Sequence, residues 1–269
     1  MGESVLSEEE LHHFDKWGYV RVPQALSEVF VGRVREVIWR NLETHYDMVE
    51  TDPTTWRPEW CGINKDKIDG FARTEVTERL SDAISQVLGG RQWRPISTYG
   101  GLLMTMPEAN PQAWDVVTKD WHFDNDPRSY LNGVEELMLF TFYSSVEAQG
   151  GGTLALAGSH RLAEAFVQSD AAEGDNINDM LNAFGKWDPY LAQLQGLQPR
   201  EHTGLHWMET VSEVHGVEVF VAEFTGQPGD ASLCHPSLWH AQSRNASNRP
   251  RIMRRTNIRR LRKRSDEAT

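Results

Sequence analysis

From Ile96 onward the chain is dominated by short apolar or β-rich segments separated by Gly and Pro turns, and this texture most narrows what it can fold into. The segments are Ile96 to Tyr99, Leu102 to Met106, the stretch around Trp121, Leu137 to Tyr143, Thr153 to Ala157, Val217 to Phe224, Ala231 to His235 and Ile252 to Ile258. Each has the length and punctuation of a strand. Helices come first. Ser7 with Glu10 three residues on forms a capping box, opening a helix whose apolar face includes Leu11, Phe14 and Trp17 and which Gly18 ends. Tyr19 to Val22 reads as a strand stopped by Pro23, and Ser27 caps a second helix with Phe30, Val31, Val34, Val37, Ile38, Leu42 and Tyr46 at helical spacing. A third helix is expected over Glu75 to Leu88, stopped by Gly89-Gly90. A largely helical insertion containing Trp187, His202, His206 and Trp207 interrupts the strands between Leu162 and Met208. The expected class is α+β, a double-stranded β-helix (a jelly-roll, cupin-like core) flanked by N-terminal helices and the helical insertion.

At 269 residues this is expected to be one domain. The helical part covers 1–90, the jelly-roll core 91–161 and 215–260, the insertion 162–214 and a basic tail 259–269. The net charge of -12 disfavours nucleic acid as a partner, since phosphate binding needs a positive field. The run Arg259-Arg260-Leu261-Arg262-Lys263-Arg264 is the exception, read as a solvated tail balancing an acidic body. No apolar run approaches a membrane span and no secretion-signal layout opens the chain, so no membrane partner and a cytoplasmic location are expected. Cys61 and Cys234 stand far apart in sequence and are expected to stay reduced. Whether the chain is a monomer or a homodimer is left open.

Chemistry concentrates at Trp121-His122-Phe123-Asp124. On a strand alternate side chains share a face, so His122 and Asp124 can point at one object. With one more imidazole they would make the two-His-one-carboxylate triad that leaves one face of a ferrous ion open. His-x-Asp also arises often by chance, and such a His is commonly just hydrogen-bonded. The remaining imidazole would come from the far half of the chain, where His235 and His240 lie five residues apart with Pro236 between them. His160 ends a Gly-Ser-His turn and reads as structural.

A second stretch, Gly229-Asp230-Ala231-Ser232-Leu233-Cys234-His235-Pro236-Ser237-Leu238-Trp239-His240, with Arg251 eleven residues past His240, resembles the phytanoyl-CoA dioxygenase family of iron- and 2-oxoglutarate-dependent oxygenases. Gly151-Gly152-Thr153-Leu154-Ala155-Leu156-Ala157-Gly158-Ser159-His160-Arg161 is similar to that family's Gly-Gly-Thr strand. Leu6 to Glu10 leading to Gly18-Tyr19-Val20-Arg21-Val22-Pro23 is similar to its opening helix and first strand.

The resemblance implies Fe(II) held by His122, Asp124 and His240, with 2-oxoglutarate and O2 as cosubstrates. It implies Arg251 as the cation for the far carboxylate of 2-oxoglutarate, where a guanidinium offers two parallel donors. It implies further contacts from Thr153 and Gln242 and a pocket lined by Met104 and Phe140, where the family often has Trp, and it puts Lys67 near the cosubstrate. The implied reaction oxidises a C–H bond of a small molecule while 2-oxoglutarate is split to succinate and carbon dioxide. Hydroxylation is the default, with desaturation, ring closure and epimerisation known on the scaffold. Halogenating relatives lack the carboxylate that stands here at Asp124. Two other classes remain: a cupin-like binding protein without turnover, and a zinc hydrolase on the same donors. Trp56, Trp60, Trp114, Trp121, Trp187 and Trp207 suggest an apolar or aromatic substrate, or else a core.

Overall fold

The computed structural model describes residues 4–57, 73–90, 92–97, 100–108, 113–131, 135–172 and 176–261. Lys67, Trp60, Cys61 and the tail beyond residue 261 lie outside them. Helix α1 (Glu8–Trp17) begins as its capping box dictates. Ser7 Oγ accepts from Glu10 N at 3.2 Å, and the Glu10 carboxylate accepts from Ser7 N at 2.8 Å. Strand β1 (Tyr19–Val22) leads to α2 (Glu28–Tyr46), whose cap Ser27 is itself held by the Glu75 carboxylate through N and Oγ at 2.8 and 3.0 Å. Helix α3 (Glu78–Val87) follows.

The remaining strands are β2 (Gly101–Thr105), β3 (Glu136–Phe142), β4 (Thr153–Ala157), β5 (Ser212–Val214), β6 (Val217–Glu223), β7 (Ala231–Cys234), β8 (His240–Gln242) and β9 (Arg251–Arg259). Between β4 and β5 run α4 (Ser159–Val167), α5 (Ile177–Lys186), α6 (Pro189–Leu194) and α7 (His206–Glu209). Among the described residues the strands form two antiparallel sheets, β1-β7-β3-β9-β2 and β5-β6-β4-β8. This double sheet with helices before and between its strands is the expected jelly roll. No described helix is long and apolar enough to cross a membrane.

Side-chain alternation sorts the strand residues into three apolar layers. Leu137, Leu139, Leu233, Met104 and Ile252 pack with Val34, Ile38 and Leu42 of α2 and Leu80 and Ile84 of α3, outside the larger sheet. Leu154, Leu156, Val219 and Val221 pack with Leu162, Phe166, Met180, Phe184 and Leu191 of the insertion, outside the smaller one. Met138, Phe140, Phe142, Ala155, Phe224, Cys234 and Met253 form the layer between the sheets.

Two expectations fail locally. Ile96 lies in no strand, the pairing nearby being the single bridge Trp93 to Arg260. The segment around Trp121 is no regular strand either: only His122 makes a bridge, and Asp124 sits in a bend. Strands β5 and β8 escaped sequence reading because each has three residues, too few to display a period.

Gly158 turns the chain from β4 into α4 at φ 86°, and a Cβ there would lie 2.2 Å from the carbonyl oxygen of Glu218. Gly216 has φ 76° but open space around it. Gly158→Ala should therefore lower the unfolding free energy by clearly more than the strain of about 1–3 kcal/mol expected of Gly216→Ala. Denaturant titration of the two variants checks this, and equal losses would show that the turn yields.

Candidate metal centre

His122 is placed by tethers on either side of it. Its main chain exchanges two hydrogen bonds with His240, N to O at 2.9 Å and 3.1 Å in return. Its neighbours Trp121 and Phe123 point the other way, into the layer beneath the insertion, with ring centroids 5.2 Å from Trp239 and 5.0 Å from Phe184 respectively. Gln195 just after α6 donates Nε2 to the Trp121 carbonyl at 3.0 Å. The alternation expected of a strand is thus imposed by burial of two aromatic rings, and His122 and Asp124 share the opposite side.

His240 opens β8 and is 5% exposed. Both imidazoles donate Nδ1–H to a main-chain carbonyl two residues back, His122 to Asp120 at 2.8 Å and His240 to Leu238 at 2.9 Å. A carbonyl can only accept, so the proton sits on Nδ1 and the Nε2 lone pair is left outward. The Asp124 carboxylate meets both: Oδ1 is 3.9 Å from Nε2 of His122 and Oδ2 is 3.3 Å from Nε2 of His240. The ring centroids of the two histidines are 4.4 Å apart. One donor atom from each of the three side chains lies within 4.8 Å of the others. That spacing suits three ligands sharing one ion.

The electrostatics suit a cation. Burial, then the neighbouring His240, hold the His122 imidazole below its ordinary pKa and so toward the neutral, ligating form. Burial alone would raise Asp124, but His240, Arg255 and His122 together outweigh it and hold the carboxyl low and ionised. Asp124 Oδ2 is fully covered and makes no aligned hydrogen bond, although Nη2 of Arg255 lies 2.8 Å away. A buried, ionised carboxylate facing two imidazole lone pairs fits a divalent metal better than it fits an empty polar cluster.

Beside this cluster the inner faces of β2, β4, β8 and β9 bring four polar side chains together. Arg251, 2% exposed, donates Nε to the Gly151 carbonyl at 2.6 Å and stands opposite Thr105 in the β2–β9 register. Gln242 donates Nε2 to Thr105 Oγ1 at 3.0 Å and stands opposite Thr153, itself 3% exposed. Thr105 was not singled out in the sequence; its position facing Arg251 depends on a pairing that no local pattern announces. Phe140 lies in the layer between the sheets, its ring 6.1 Å from that of His240. Met104 does not join them. It pairs with Ile252 and packs against the N-terminal helices, because alternation along β2 turns it outward and turns Leu103 and Thr105 in.

The other motif residues serve the scaffold. Asp230 accepts from Gln24 N at 3.0 Å and Gln227 N at 2.8 Å and pairs with Arg21, tying β7 to the end of β1. Ser159 Oγ accepts from Trp239 N at 2.8 Å, one residue before His240. His235 is not at the cluster: its Nδ1 accepts from Ser237 N at 3.1 Å, and its ring lies 5.0 Å from that of His160. Trp114, Trp121 and Trp207 are buried under the insertion, Trp187 packs against the same layer and Trp56 packs on the N-terminal one. Of the six tryptophans singled out in the sequence, the five within the described residues thus lie in or against the apolar layers, and Trp60 lies outside the described residues.

The fold is a double-stranded β-helix, and it carries a His122, Asp124 and His240 cluster able to hold a metal ion. Among solved structures the chain is similar to the alpha-ketoglutarate-dependent carbocyclase SnoK from nogalamycin biosynthesis, at 17% identity and TM-score 0.52 over 94% of this chain and 84% of that one. It is similar to the epimerase SnoN in complex with Fe3+, alpha ketoglutarate and nogalamycin RO, at 16% identity and TM-score 0.51 over 94% and 82%. It is also similar to HygX from Streptomyces hygroscopicus with nickel and 2-oxoglutarate bound, at 15% identity and TM-score 0.51 over 94% and 87%. At these identities the likeness is one of fold. No family model matches the chain, and no curated protein matches it.

The histidines outside the cluster generate a pH dependence. Burial pushes His160 down to about 4 and His235 down to about 3, both below the unfolded value near 6.5. Both are thus neutral when folded, while the unfolded chain takes up protons as pH falls below 6.5. Their contribution is complete above that pH and is lost on going down toward the folded values. Between about pH 6.5 and 5, above most carboxylate titration, His235→Asn should make unfolding free energy less steep against pH than in the parent. An unchanged slope would show that His235 protonates without opening the fold.

Proposed function

We propose that the chain is an iron- and 2-oxoglutarate-dependent oxygenase of the phytanoyl-CoA dioxygenase kind. In this reading His122, Asp124 and His240 hold Fe(II), and Arg251 anchors the far carboxylate of 2-oxoglutarate. The observation that carries it is the meeting of three donors from remote parts of the chain, with both Nε2 lone pairs turned out by Nδ1–carbonyl bonds. A buried guanidinium on the inner face of β9 adds support, since neither a zinc hydrolase nor a non-catalytic cupin needs one there.

When bound, iron with 2-oxoglutarate and O2 supplies an oxidant strong enough for an unactivated C–H bond, with succinate and carbon dioxide released. The chain's own part is placement and exclusion of water. Arg251, with Thr153, Thr105 and Gln242 about it, offers donors for the distal carboxylate. Phe140 walls the iron side with an apolar ring. Asp124, being a carboxylate, fills the ligand position that halogenation would need vacant. A small-molecule substrate and hydroxylation are the proposed outcome. The similar structures include a carbocyclase and an epimerase, which leaves this fold room for other outcomes.

Anaerobic protein mixed with Fe(II) and 2-oxoglutarate should develop the weak visible charge-transfer band of the chelate. His240→Ala should abolish it. Arg251→Ala should keep metal binding but weaken 2-oxoglutarate by about 2–5 kcal/mol, the range for unpairing a desolvated carboxylate. No band, with zinc bound in preference, would move the reading to hydrolysis. Succinate release across metabolite pools then identifies the substrate.

A further inference from the structure

Sequence resemblance supplies three ligands and one arginine, whereas the structure places a second guanidinium at the cluster. Arg255 lies four residues along β9 from Arg251 and, by strand alternation, on the same inner face. It stands between Phe140 on β3 and Gly101 on β2, and Gly101 has no side chain to crowd it. Its Nη2 is 2.8 Å from Asp124 Oδ2, and its side chain is 23% exposed. Arg254, by contrast, faces outward to Thr74 Oγ1 at 3.2 Å and to the Tyr143 ring.

We propose that Arg255 is a positioning residue for the metal site: it grips one oxygen of Asp124 so that the carboxylate presents the other to the metal in a single orientation. This rests on the ligand assignment above. Asp124 sits in a bend and lacks the strand hydrogen bonds that would fix its main chain. Each histidine, by contrast, is fixed through its second nitrogen by a carbonyl. The carboxylate needs an equivalent restraint on its second oxygen, and a cation is the strongest one available. The arrangement has a cost, because a guanidinium also repels the incoming ion. Positioning and repulsion predict opposite results when the charge is removed, which makes the role testable.

The test is an anaerobic Fe(II) titration, followed by the 2-oxoglutarate charge-transfer band, on the parent chain and on Arg255→Met and Arg255→Lys. Loss of the grip should weaken Fe(II) about 10–100-fold in Arg255→Met, the range seen when partners of metal ligands are removed, and should shift or broaden the band. Arg255→Lys should recover part of the affinity, and it serves alone if the methionine variant does not fold, since a single ammonium should still leave affinity below the parent's. Unchanged affinity and band in a variant whose parent forms the chelate would overturn the positioning role and leave the oxygenase reading intact. Tighter Fe(II) binding would overturn it too, marking Arg255 as a competitor for the carboxylate. A parent chain that forms no chelate would sink both.

Discussion

The centre depends first on a single antiparallel bridge. Two main-chain hydrogen bonds between His122 and His240 join a segment with no strand of its own to the first residue of β8. A bridge of this kind fixes distance and direction together, because neither residue can shift along the chain without giving up both bonds. The imidazoles therefore emerge side by side, and the carboxylate two residues on has little choice but to meet them.

One bridge would not hold a bend in place, and the insertion supplies the rest. Trp121 and Phe123 are anchored in the layer formed by Leu162, Phe166, Phe184 and Trp239, and Gln195 takes the adjacent carbonyl. The helices between β4 and β5 thus support the centre from behind the smaller sheet. That changes their meaning. An insertion into a barrel invites the idea of a substrate cap, yet most of its aromatic residues are committed to packing, where burial stabilises each by roughly 1.5–3 kcal/mol.

Strand β9 shows how the fold spends a cluster of like charges. Arg251 and Arg255 face the inner layer while Arg254 is turned to the N-terminal helices. Alternation separates them into two positive groups on the cavity side, one near Gly151 and one at Asp124.

Several features were legible in the residues themselves. The caps of α1 and α2, the Gly and Pro punctuation of the strands and the pairing of His122 with Asp124 are local, and local chemistry decided them. The resemblance pointed to His240 over His235 by a spacing to Arg251 that His235 does not meet, and the fold does set His240 beside His122 and Asp124. Met104 was misjudged because a resemblance in sequence does not say which way a given residue of β2 faces. Thr105 and Arg255 were missed because their partners lie on other strands or in a distant bend. The sequence by itself determined which elements form and which donor types are present. Only the tertiary structure decided which of them meet, because strand register and the burial of Trp121 and Phe123 are settled by long-range packing, and a shift of one residue would turn the clustered side chains to the opposite face.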